Sequence, residues 1–313
     1  MQAARGIGAM VAACTIWGLS PLYYKLIAHV PPLEVLSHRT LWSLVFFGAV
    51  LLIQKRLPEV WVLIGNWRAL VLVAFAAIMI SANWFLYILS IQVGRTVEAS
   101  LGYYMFPLVA VILGLLAFSE SLSPIKWLSV GLAVVAVLVL TIGLGATPGI
   151  SMALATTFGL YGLAKKCTRA GPVASVTAEV LVLAPLAVIW LAGVHQAGWS
   201  GLTGRSGGVF GHDLGDSLIL VLSGPLTAGP LILLSYASRR ITMATLGLVQ
   251  YLNPTLQFLC AVVVFQEPFT GWHGLAFGLI WLALALYSAE VLRQDKALRK
   301  ASAKVSISVT GVI

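Results

Sequence analysis

The chain has 313 residues, of which 60% are hydrophobic and 9% charged, with a mean hydropathy of +0.98. Soluble domains carry about a quarter charged residues, so this composition excludes a soluble globular protein and makes the lipid bilayer the expected solvent. A net charge of +9 does not point to nucleic acid, because the basic residues are spread over the segments between apolar stretches, as membrane topology requires.

Crossing about 30 Å of hydrocarbon takes about twenty apolar residues in a helix. Ten stretches qualify, near 7–26, 33–53, 69–90, 98–118, 125–143, 149–167, 173–194, 216–236, 244–265 and 272–291. The first contains Trp17 and Pro21 and ends in Tyr23, Tyr24 and Lys25, so it reads as a permanent span and not as a removable signal. The second carries His38 and Arg39, roughly 8 Å below one face. Arg39 has snorkelling as its alternative to substrate contact, and His38 has a simple hydrogen bond. The third carries Asn83, Trp84 and Tyr87, with Asn83 and Tyr87 on one helix face. The fourth carries Tyr103, Tyr104 and Pro107, and Glu120 follows it. The sixth is the weakest, diluted by Ser151, Thr156, Thr157 and Lys165.

Glu179, in the seventh stretch, is the carboxylate placed clearly inside a span, roughly 9 Å below the opposite face. It must be protonated, paired or wet; a functional role is the default, and a structural pair with Lys165 or Lys166 is the alternative. The segment HQAGWSGLTGRSGGVFGHDLGDS (195–217) holds seven glycines and reads as a flexible extracytoplasmic connector. Its GWSG resembles an intramembrane serine-protease motif, but it lies in a loop. Pro225 and Pro230 interrupt the eighth stretch, and the ninth carries Gln250, Tyr251, Asn253, Pro254 and Gln257 before Glu267. In the tenth, Gly274-x-x-x-Gly278 permits close helix contact, with packing inside the chain as its expected use.

With the N-terminus inside, fifteen of the nineteen Lys and Arg residues fall on inner segments, and Lys25, Arg39, Arg95 and Arg205 fall outside. Both termini are therefore expected in the cytoplasm. The chain also repeats itself. A shift of 147 matches Leu101, Tyr104, Pro107, Phe118 and Glu120 to Leu248, Tyr251, Pro254, Phe265 and Glu267. A shift of 145 aligns ASLG with ATLG, so the register is not unique; a weaker echo at 141 relates IWGL (16–19) to TFGL (157–160) and sets His38 opposite Glu179. Five spans per half is an odd number, so the second half is inserted upside down, as in many secondary transporters.

Pro107 and Pro254 sit near the midpoints of matching spans and free the carbonyls of Tyr103 and Gln250. With Pro21 they are the expected hinges. Glu120 and Glu267 read as carboxylates beside the next helix start, with Thr270 as the N-cap of the tenth span. Aromatics with a few uncharged polar atoms suit an organic solute better than a bare ion. The chain has no nucleotide-binding loop and no H-E-x-x-H. Cys14, Cys167 and Cys260 lie in separate spans without metal-ligand spacing. No catalytic residue, cofactor or metal is expected.

IWGLSPLYYKL (16–26), VPPLEVLSHRTLWS (30–43), NW (83–84), EASLGYY with Pro107, YGLAKK (161–166), Glu179 and TLGLVQYLNPTLQFLCAVVVFQE (245–267) together resemble the RarD-like branch of the EamA family, in the drug/metabolite transporter superfamily. The match covers nearly all of the chain except the glycine-rich loop and the tail after about 292; SE at 119–120 departs from the GE frequent in relatives. The resemblance implies ten helices in two inverted halves around a central cavity, helices 5 and 10 being peripheral. It also implies a bacterial inner-membrane permease without ATP hydrolysis. By position it singles out His38, Arg39, Asn83, Trp84 and Glu179.

The expectation is an all-α integral membrane protein with ten transmembrane helices in two inverted-topology five-helix repeats, 1–145 and 146–292, and a cytoplasmic tail, 293–313. Its expected function is secondary transport of small organic metabolites or drugs by alternating access, in the direction of export, with proton linkage through Glu179 and His38. Substrate contacts are expected at Trp17, His38, Arg39, Asn83, Trp84, Tyr87, Tyr103, Tyr104, Gln250 and Tyr251. An uptake or facilitated-diffusion permease, or a non-transporting receptor, is the alternative. The partners are a small-molecule substrate and the lipid bilayer, with no nucleic acid, and the chain is a monomer or homodimer.

Overall fold

Proline and capping side chains decide where many of the helices begin. The computed structural model describes residues 2–118, 123–144, 148–168, 170–205 and 207–310, and these are almost wholly helical. The helices are α1 (Gln2–Gly18), α2 (Ser20–Leu26), α3 (Pro32–Ile53), α4 (Pro58–Gly65), α5 (Trp67–Gln92), α6 (Thr96–Phe118) and α7 (Pro124–Leu144). They continue with α8 (Gly149–Cys167), α9 (Pro172–Ala197), α10 (Leu214–Ser238), α11 (Met243–Gln250), α12 (Leu252–Leu259) and α13 (Gly271–Thr310). Pro21, Pro32, Pro58 and Pro172 stand in the first turns of α2, α3, α4 and α9, where a missing N–H costs nothing. Asn66 caps α5 through Arg68 and Ala69, Asp213 caps α10 through Asp216, and Thr242 caps α11 through Thr245.

Nine spans in the described residues are long and apolar enough to cross a bilayer. The stretch missing from that set is α8, the weakest in the sequence reading. Its polar residues turn toward protein: Ser151 donates to the Glu98 carbonyl at 2.7 Å, and Thr157 accepts from Asn83 at 3.1 Å. Large apolar side chains such as Ile53, Leu116, Ile142 and Leu186 stand exposed around the outside, as lipid-facing residues do. The molecule is thus an all-α, multi-spanning membrane protein.

Packing is specific. α8 lies against α5 and α6, and α1 against α10 and the α11–α12 pair. α3 packs on α9 and α10, α5 on α9, α6 on α12, and α7 on α13. α3, packed on α9, α10 and α5, buries Glu34, Ser37, His38, Arg39, Thr40 and Ser43.

Several local expectations change. Pro107 is accommodated inside the unbroken α6, whereas the Pro254 span breaks at Tyr251 and widens into a π turn at Cys260–Val264. Pro21 lies at the break between α1 and α2. Glu267 does not serve its own following helix; both its oxygens accept from Thr96 and Val97 N–H at 2.8 Å and so cap α6. The Thr270 hydroxyl meets the His273 ring at 2.9 Å. Glu120 lies outside the described residues. Gly278 is not a close in-chain contact, since a Cβ there would meet nothing within 4 Å. The segment after residue 292 begins as a helical continuation of α13.

The glycine-rich segment is pinned and not loose. Glu34, fully buried, accepts from the N–H groups of Gly208 and Val209 at 2.9 Å each. Arg205 donates to the Ala28 carbonyl and, at 2.8 Å, to Gln92. Gly207 permits the approach, because a Cβ there would stand 2.5 Å from Val194 Cγ1 and 2.9 Å from Glu34 Oε2.

Candidate functional site

A cavity of about 520 Å³ runs between the packed helices. Helical spacing builds its wall. Trp17, Ser20 and Tyr24 succeed one another at i, i+3 and i+7 across α1 and α2, and Phe158, Tyr161 and Lys165 repeat that spacing on α8. On α6 the lining residues are Tyr103, Phe106, Pro107 and Ala110; on α11 and α12 they include Gln250, Asn253, Pro254 and Gln257.

Of the substrate contacts expected from the sequence, Trp17, Arg39, Asn83, Trp84, Tyr87, Tyr103, Gln250 and Tyr251 line this cavity, and so do the hinges Pro107 and Pro254. His38, Tyr104 and Pro21 are not among the lining residues. His38 stacks on Phe210 of the pinned loop at 4.6 Å, with Nε2 buried and unpartnered. Tyr104 bonds Thr255 at 2.6 Å and packs against Phe277 and Trp281. Glu179 sits just behind the wall, 1% exposed, and three groups reach it: Lys165 Nζ at 2.6 Å, the Ser175 hydroxyl at 3.1 Å and the Tyr161 hydroxyl at 3.1 Å. Ser200, of the GWSG segment, is exposed on the loop and outside the cavity. The nearby His195 ring is engaged by the carbonyls of Leu191 and Phe210.

Around Arg39 the polar atoms form a connected set. Arg39 Nη1 donates to the Tyr24 hydroxyl at 2.7 Å, and its guanidinium carbon lies 4.1 Å from the centre of the Trp84 ring, a cation–π contact. Tyr87 contacts Ser20 Oγ at 2.9 Å. Tyr103 donates to Asn83 Oδ1 at 2.8 Å, while the Asn83 amide donates to the Leu154 carbonyl and to Thr157. Asn83 thereby ties α5, α6 and α8 together beside the cavity. Edge-to-face contacts carry the wall onward from Tyr24 to Tyr87, Tyr103 and Phe158.

Sequence reasoning did not select Ser20, Tyr24, Phe158, Tyr161 or Lys165 as contacts, though it places Gln257 among the polar groups of its span. Their signal was available in the i, i+3, i+7 spacing from Trp17 and the i, i+4 spacing of Tyr161 and Lys165. The chemistry on offer is binding and reorientation of an organic solute by two cations, amides, phenols and an aromatic surface. No cluster of three or more His, Cys, Asp or Glu able to hold a metal occurs among the described residues.

Comparison with known proteins gives a consistent picture. The model of the EamA-like transporter family matches residues 4–142. The chain is 38% identical over 295 residues to an uncharacterized transporter of Pseudomonas aeruginosa, covering 94% of this chain and 96% of that relative. It is 41% identical over 286 residues to Protein RarD of Streptomyces exfoliatus, covering 91% and 88% respectively. It is 32% identical over 299 residues to Protein RarD of Escherichia coli, covering 96% and 99%. A solved crystal structure, 19% identical, superposes with a TM-score of 0.58 over 93% of this chain and 99% of that one, a likeness of fold alone.

Proposed function

The chain belongs to the RarD-like branch of the EamA-like transporter family, and on that premise we propose that its cavity exports small organic metabolites or drugs across the bacterial inner membrane by alternating access. It is a transporter, not an enzyme. The observation that carries the mechanism is the two-fold character of the cavity wall. A shift of 147 takes the lining residues Tyr103, Phe106, Pro107 and Ala110 onto Gln250, Asn253, Pro254 and Gln257, which also line it. A shift of 141 takes Trp17, Ser20 and Tyr24 onto Phe158, Tyr161 and Lys165.

Packing follows the same rule once α8 is counted as a crossing, which makes ten. Advancing each helix by five crossings turns the α6–α8 contact into α12–α1, α5–α8 into α10–α1, and α5–α9 into α10–α3. α3–α9, α6–α12 and α7–α13 map onto themselves. The echo of IWGL in TFGL has a physical reason in this frame. A Cβ on Gly18 would stand 2.6 Å from Leu256 Cβ, and one on Gly159 would stand 3.2 Å from Val109 Cγ1; Val109 and Leu256 are 147 residues apart. Five crossings per half supports the inverted repeats 1–145 and 146–292, with both termini cytoplasmic.

In the proposed orientation the lining residues Lys165, Pro172, Gly247 and Val291 belong to cytoplasmic helix ends, and the loop pinned by Glu34 lies on the opposite side. A cavity open to the cytoplasm is the inward-facing state of the proposed cycle, the state in which an exporter loads its solute. The Lys165–Glu179 pair is the site proposed for proton linkage, with His38 under the outer loop as its opposite number. The name of one relative, Chloramphenicol-sensitive protein RarD of Pseudomonas aeruginosa, 26% identical over 301 residues, makes amphipathic drugs part of the range to screen. Hits from a metabolite and drug thermal-shift screen are carried into flux assays in proteoliposomes. The expected result is flux that responds to a pH gradient in wild type and no longer does so in Glu179→Gln. Flux indifferent to the gradient in both removes the proton role, and binding without flux removes transport.

A further inference from the structure

The geometry points to an aromatic monocarboxylate with an O–H or N–H donor at its far end as the substrate class of this cavity, an inference that rests on the transport reading above. Charge decides first. The charged residues that line the cavity, among the described residues, are Arg39 and Lys165, both cations. Lys165 is neutralised from behind by Glu179 at 2.6 Å. Arg39 has no such partner among the described residues. It is 6% exposed, meets a neutral phenol and a Trp face, and leaves Nε buried without an acceptor. A buried cation held only by neutral groups is costly until an anion joins it, and the guanidinium fork matches a carboxylate.

The surrounding hydroxyls narrow the class further. Ser20 Oγ donates to the Trp17 carbonyl at 2.6 Å, so in its contact with Tyr87 the phenol must be the donor. The Tyr103 proton goes to Asn83. Tyr24 accepts from Arg39 and keeps its own O–H free to donate. The Arg39 end therefore offers a guanidinium and a phenol O–H, and no carboxylate for an ammonium group. This selects an anion over a cation or a zwitterion.

A second unmet group sets the far end. Gln257 is 2% exposed and gives Nε2 to Asn253 Oδ1 at 2.9 Å, which leaves Oε1 buried with no donor. It lines the same cavity one turn beyond Pro254. A substrate O–H or N–H completes it, and an apolar substituent there leaves the carbonyl unsatisfied. The same cavity is lined by Tyr87 and Tyr103, edge to face at 5.5 Å, which suits a flat ring.

The full-length purified protein is titrated calorimetrically with three ring-matched probes: 4-hydroxyphenylacetate, 4-hydroxybenzyl alcohol and tyramine. The acid is expected to bind at least about tenfold tighter than the alcohol or the amine. Arg39→Gln is expected to weaken the acid at least about tenfold more than the alcohol, and Gln257→Leu to weaken acid and alcohol alike. Should Arg39→Gln fail to fold, the wild-type ranking decides alone. Equal affinity for acid and alcohol, a preference for the amine, or no binding of the acid overturns the inference. Flux of the same probes in proteoliposomes separates it from the transport reading. An acid that binds with this ranking but does not cross upholds the class and removes transport; flux of alcohol or amine without acid binding does the reverse.

Discussion

Glu179 and Lys165 show what the bilayer does to a pair of charges. Each ion alone would be expensive this deep, and each lowers the cost of the other, with Ser175 and Tyr161 supplying further hydrogen bonds. Glu179→Gln leaves Lys165 without a counter-charge. The expected loss is about 3 kcal/mol, the low end for a broken buried pair, because the Lys165 side chain retains 23% exposure. Adding Lys165→Met removes the stranded ammonium, so the double variant should melt at a higher temperature than Glu179→Gln alone. Thermal unfolding of the four proteins of the cycle in detergent tests this, and strictly additive losses would mean that the pair is not coupled. Sequence points to Glu179 and leaves its partner open between Lys165 and Lys166, since a lone acid in a span demands a partner; the structure pairs it with Lys165. It could not separate His38 from Arg39. Neighbours in a helix point about 100° apart, and only tertiary packing sends Arg39 into the cavity and His38 against Phe210.

At the scale of elements, the loop between α9 and α10 is the part least legible in the sequence. Seven glycines read as freedom, yet Gly207 and Gly208 are there so that backbone N–H groups can reach a buried carboxylate; Gly208 has φ +82°. The carboxylate belongs to Glu34, 174 residues earlier, and no local pattern announces such a partner. Hydrogen bonds to a charged acceptor are worth about 1.5–3 kcal/mol each, so Glu34→Ala should release the loop while leaving the helices folded. Arg205 provides a built-in reporter, because it is held by Ala28 and Gln92 only while the loop is docked. Trypsin added to right-side-out vesicles should cut after Arg205 more than about tenfold faster in Glu34→Ala than in wild type, tracking the open population. An unchanged rate would show that Glu34 does not hold the loop. α8 failed as a span on composition for a related reason: Ser151 and Thr157 bond to neighbouring helices, and hydropathy cannot see that.

For the whole molecule, the repeat register was ambiguous in sequence because five identities in an apolar stretch are weak evidence. The cavity favours 147 over 145, since each α6 lining residue then has a lining counterpart. The proposed inverted arrangement can be tested with the native cysteines. Cys14 and Cys260 are buried, whereas Cys167 is exposed at the end of α8. If α8 is the sixth crossing and the N-terminus is cytoplasmic, Cys167 faces the cytoplasm. A membrane-impermeant maleimide should then label wild type in inside-out vesicles and not in right-side-out ones, and Cys167→Ser should abolish the signal. Ser200 is exposed one crossing later and makes no capping bond. Ser200→Cys in the Cys167→Ser background should therefore label with the opposite sidedness. If α8 instead returned to the side it left, Cys167 would label from outside and Ser200→Cys from inside, because α9 still crosses between them. The reversed pattern would leave five crossings before α9 and four from α9 onward, an unequal split that cannot form two inverted five-helix halves, so the two-fold wall of the cavity would need another cause.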